Sequence, residues 1–84
     1  MPATPIMIAR NEADSVVRNH KNHSYWGPVL FKALRRELKG RSRQEIASAL
    51  EDARKEIELR SLRLPFDRIF LLKELNTIRE ELLG

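Results

Sequence analysis

Between positions 26 and 38 the chain reads WGPVLFKALRREL, with apolar residues at 26, 29, 30, 31, 33, 34 and 38. At ~100° per residue these gather on one side of a helix, and Lys32, Arg35, Arg36 and Lys39 gather on the other. A helix is therefore predicted over 25–39. Ser24 or Gly27 can cap its start. Pro28 fits the first turn, where backbone N–H groups have no intrahelical acceptor. Gly40 ends it as a left-handed C-cap residue. Ser42 and Glu45 then form a capping box, which predicts the next helix over 43–62. Ile46, Leu50, Ala53, Ile57 and Leu64 keep a heptad-like seam along it. Glu51–Lys55 and Glu56–Arg60 support it as i, i+4 pairs. A connection as short as 39–43 predicts that these two helices are antiparallel neighbours.

Pro65 interrupts the pattern and suits the first turn of a further helix over 66–83. Leu71, Leu75, Ile78 and Leu82 form a seam at 4-3-4 spacing, and Phe66, Ile69, Phe70, Leu72 and Leu83 widen its apolar surface. Upstream, residues 1–10 read as an N-terminal tail with two prolines. "IMIA" has no partner strand and is expected to pack on helices. Asn11 caps a short helix with Asp14 in its first turn, and Ala13, Val16, Val17 and His20 share a face. "NHKNHS" breaks it, because Asn and Ser compete for backbone hydrogen bonds. The expected fold is all-α: an antiparallel helical hairpin plus a further helix, three long helices and a short N-terminal one in all. Residues 11–84 make a single helical domain in a homodimeric bundle.

Length gives the reason to expect a dimer. A chain of 84 residues makes one domain at most. A domain that small buries too little surface to be more than marginally stable. Cysteine is absent, which excludes disulfides and thiolate metal sites. Oligomerisation remains, and the seam at Leu71, Leu75, Ile78 and Leu82 is the candidate dimer interface. No stretch approaches the ~20 apolar residues of a membrane span. The N-terminus lacks the basic region of a signal peptide, so an intracellular, cytoplasmic location is expected.

Charge adds the functional lead. The net charge is +4. Residues 32–43 hold six Lys/Arg against one acid, a local +5, while the rest of the chain nearly balances. The candidate nucleic-acid-binding residues are Lys32, Arg35, Arg36, Lys39, Arg41 and Arg43. Such an edge attracts polyanions by neutralising phosphates and releasing counterions, and arginine adds planar forks that match phosphate oxygens. The face carries only Lys and Arg, without the Asn, Gln and Ser that read bases, so backbone contact without sequence specificity is expected. Double-stranded RNA, recognised largely by shape, is slightly preferred. The alternative is a helical interaction and dimerisation adaptor with an acidic protein partner. A membrane-surface or calmodulin-target helix is disfavoured, because a stable fold already buries the apolar face.

Other features weigh less. No glycine-containing turn follows "SRQEIASAL" at Glu51–Arg54, against a helix-turn-helix. His20 and His23 have the spacing of a metal pair but no third ligand, so no metal or other cofactor is expected. Tyr25 and Trp26 stand beside the cations, where aromatics can stack on bases. A lone Trp on an apolar side is more often a core anchor. No catalytic arrangement is visible, and the protein is not expected to be an enzyme.

Overall fold

The computed structural model describes residues 3–61 and 68–84. Every regular element among them is helical: α1 (Pro5–His20), a single 3-10 turn (His23–Tyr25), α2 (Trp26–Leu38), α3 (Arg43–Ser61) and α4 (Arg68–Leu83). The expected helix end at 62, the seam position Leu64, the Pro65 start and Phe66 lie outside the described residues, as do the first two residues of the expected tail.

The chain divides into two compact units, Met1–Lys39 and Gly40–Gly84. In the first, α1 packs along α2; in the second, α3 packs along α4. The connection at 39–43, expected to close a hairpin between α2 and α3, is the junction between the units.

The first unit departs most from expectation. Residues 5–10, read as tail, are the opening turns of α1. Thr4 is its N-cap, with its hydroxyl accepting from the Met7 N–H at 3.3 Å, and Pro5 stands in the first turn. A proline there removes an N–H that has no acceptor anyway. Ile6, Ala9, Ala13 and Val17 recur at helical spacing and are buried. Val16 is half-buried, and His20, assigned to the same face, is exposed. Lys21 closes the helix in the left-handed region, at φ 52°.

On α2, Trp26, Leu30, Leu34 and Leu38 are fully buried, and Phe31 and Ala33 nearly so. The buried face of α1 carries small residues, Ala9 and Ala13, and that of α2 large ones. The Trp26 indole N–H donates to Asp14 Oδ1 at 3.1 Å. This gives the polar tip of a buried ring an acceptor.

The second unit starts on its expected signals. Gly40 has φ +81°, the left-handed conformation that favours glycine. The Glu45 N–H donates to Ser42 Oγ at 3.2 Å, and the Ser42 hydroxyl donates to Glu45 Oε1 at 3.1 Å. Ile46, Ala49, Leu50, Ala53 and Ile57 of α3 are buried, as are Leu71, Leu75 and Ile78 of α4. Arg43, first in α3, donates to the carbonyl of Leu83, last in α4, at 2.7 Å. The two helices therefore run antiparallel.

Two outcomes follow. Asp14→Ala, which takes the acceptor from the Trp26 indole, should cost about 1–3 kcal/mol in urea unfolding. Gly40→Ala should cost about 1 kcal/mol from backbone strain alone, because no atom lies within 4 Å of an added Cβ.

Candidate nucleic-acid interface

The rotation of α2 about its axis follows from what it buries. Trp26, Gly27, Leu30, Phe31, Ala33, Leu34 and Leu38 turn inward. Lys32, Arg35, Arg36 and Lys39 are left exposed. At ~100° per residue these four occupy an arc of about 100°, running about 10 Å along the axis. Glu37 is the one acid in the stretch, and it is half-buried, outside that arc.

The four cations are not equally available. Arg36 Nη2 lies 2.6 Å from Glu12 Oε1, across on α1, and its Nε lies 2.9 Å from Glu37 Oε2. Hydrogen bonds to Glu12 first and Glu37 second raise its pKa. Arg35 also has an interaction within the chain. Lys32 and Lys39 engage no partner among the described residues. A phosphate can meet them without displacing anything.

The other two candidates belong to the second unit and are committed to its helix ends. Arg41 Nη1 pairs with Glu45 Oε2 at 3.1 Å. Hydrogen bonds from Arg41 and from the Ser42 hydroxyl and backbone N–H hold Glu45 below the usual carboxylate range. A depressed carboxyl stabilises the fold above that range, and the contribution is lost as pH falls through the lowered value. Arg43 satisfies a terminal carbonyl of α4, where a cation also complements the helix dipole. The cluster that looks continuous in sequence thus divides into a face of four along α2 and two cations engaged at helix ends, Arg41 at the start of α3 and Arg43 on the last carbonyl of α4.

Sequence reasoning missed two participants. Glu12 stands 24 positions before Arg36, and only the packing of α1 on α2 brings it there. Arg54 lies outside the cluster, yet it bonds Glu51 and reaches Glu58 at 2.7 Å. The Arg54 hydrogen bond to Glu51 is the main cause of a lowered Glu51 pKa.

The expected dimer seam lies inside the chain. Leu71, Leu75 and Ile78 are 6%, 5% and 0% exposed, Leu82 is half-buried, and α4 packs along α3. Where the seam was expected to meet a second subunit, it meets α3. The apolar residues of α4 that stay at the surface are Ile69 and Phe70.

Among the described residues no group of three or more His, Cys, Asp or Glu side chains could hold a metal ion, and no helix is long and apolar enough to cross a membrane. No family model, curated protein or solved structure matches the chain.

Glu12 occupies Arg36 Nη2, so any anion bound at Arg36 would compete with it. Glu12→Gln should leave helicity and melting temperature nearly unchanged, since exposed ion pairs contribute little. The variant should elute from immobilised heparin at higher salt than the wild type. Earlier elution would mean that Glu12 positions Arg36 rather than occupying it.

Proposed function

We propose that the protein binds nucleic acid through its phosphate backbone, without reading sequence, on the exposed face of α2, with duplex RNA slightly preferred. One observation carries this reading: four cations share one solvent-facing arc, and two of them, Lys32 and Lys39, have no partner among the described residues. Charge used only for solubility is interspersed with the opposite sign. The other exposed residues of α2 bring no amide or acid, so the face has little with which to distinguish base edges. Phosphate contact by Lys and Arg positions a ligand without specifying sequence. The slight preference for RNA rests on the shape-based recognition of its duplex.

Self-association belongs to the same proposal. α4 keeps Ile69 and Phe70 at its surface, 72% and 55% exposed, and a homodimer would carry the cationic face twice. A second reading, an acidic protein partner, is favoured by Arg36, which already donates to two carboxylates.

A salt-resolved titration with duplex RNA, duplex DNA and single strands separates the two. For duplex DNA, log affinity should fall linearly with log salt, by about 0.9 per phosphate neutralised. The double variant Lys32→Ala/Lys39→Ala should weaken binding alike on every duplex sequence and flatten the slope by about two units. Arg79→Ala, on α4, should change little. A wild type with no salt-sensitive binding to any nucleic acid, or a double variant that binds as well as wild type, overturns the proposal in favour of the protein partner.

A further inference from the structure

Tyr25 and Trp26 are adjacent in sequence but part company in the structure. Trp26 is wholly buried, with its indole bonded to Asp14, whereas Tyr25 is 43% exposed. Tyr25 ends the 3-10 turn and continues into α2 with helical dihedrals, φ −76° and ψ −16°. Its place on the helical wheel is therefore fixed by that of α2. At ~100° per residue Tyr25 lies within about 20° of Lys32 and of Arg36, and within about 40° of Lys39. The exposed face of α2 thus begins with an aromatic ring and continues as cations.

The ring is also positioned. Tyr25 and His20, at the exposed end of α1, meet in a T-shaped contact with ring centroids 5.2 Å apart and planes at 64°. This is the favoured arrangement of two aromatic quadrupoles. Arg18 and Lys21, on either side of His20 in sequence, are exposed and keep the surroundings cationic.

We propose that Tyr25, braced by His20, is a stacking seat for an unpaired base at the end of a duplex whose phosphates lie along Lys32, Arg35, Arg36 and Lys39. This deepens the nucleic-acid reading and rests on it. A base inside a duplex has both faces covered by its neighbours. Only an unpaired or overhanging base offers a face to an aromatic side chain. Tyr25 stands seven residues before Lys32, about 10 Å along the axis, which is the reach of about three nucleotides at ~3.4 Å each. A single-stranded overhang of two or three nucleotides fits that distance. Stacking is tolerant of base identity, in keeping with a face that reads no sequence.

The test compares a blunt RNA duplex with the same duplex bearing a three-nucleotide 3′ or 5′ overhang, against wild type, Tyr25→Phe, Tyr25→Leu and Tyr25→Ala. Helicity and Trp26 fluorescence confirm folding, and Tyr25→Leu keeps apolar bulk at the position if Tyr25→Ala loosens the turn. Wild type and Tyr25→Phe should bind one overhang duplex more tightly than the blunt one. Tyr25→Leu and Tyr25→Ala should lose about 5- to 150-fold on that duplex, the range of one base–aromatic stack. All four should bind the blunt duplex equally. An overhang preference that is absent, or that survives in folded Tyr25→Leu, overturns the stacking seat, while salt-sensitive binding of the blunt duplex leaves the phosphate-binding face standing. No binding of either duplex overturns both.

Discussion

The burial of one side of α2 governs the rest of the first unit. Trp26, Leu30, Leu34 and Leu38 have no exposed surface. Burying a side chain of that size is worth about 1.5–3 kcal/mol each. The surface ion pairs nearby fall in a class worth far less. No charge interaction in the unit can rotate α2 against that preference. The outward direction of Lys32, Arg35, Arg36 and Lys39 is thus a consequence of packing, as is the outward direction of Tyr25. Function bears on a different choice, namely which residues fill the outward positions. The exposed positions of α2 carry cations and no acid.

The same packing sets how available each cation is. It brings Glu12 to Arg36, so one arginine of the face is already neutralised from the neighbouring helix. Phosphate offers several acceptor oxygens to a guanidinium and competes directly with such an exposed carboxylate. Lys32 and Lys39 need no such exchange. On the proposed phosphate-binding reading, affinity comes first from the two lysines, with Arg36 joining as its bond to Glu12 is traded for one to phosphate. Arg41 and Arg43 do different work in the second unit, where one pairs with Glu45 of the α3 capping box and the other satisfies the last turn of α4.

How much of this was legible in sequence depended on whether a signal was local. The break between α2 and α3 was legible, because Gly40, Ser42 and Glu45 each act on their own turn. The start of α1 was equally local, in Thr4 and Pro5, but two prolines in five residues suggested a tail. The rule that admitted Pro28 into α2 applied to Pro5 as well. The pairing of α1 with α2 was not legible, because the buried stripe of α1 begins in residues read as a tail. Nor was it legible that the apolar seam of α4 is buried along α3 within the chain. The cationic face was legible because helical periodicity alone defines it, whereas Glu12 was not, because its role depends on a neighbouring helix.

The most direct measurement is residue-resolved NMR on isotope-labelled protein, titrated with a short RNA duplex at low salt. Shift changes in the backbone amides of α2 and the side-chain nitrogens of Lys32, Arg35, Arg36 and Lys39 are expected, with the Trp26 indole signal and the amides of α4 nearly still. Shifts centred on α3 and α4, or none at duplex concentrations well above that of the protein, would contradict the assignment of the nucleic-acid surface to α2.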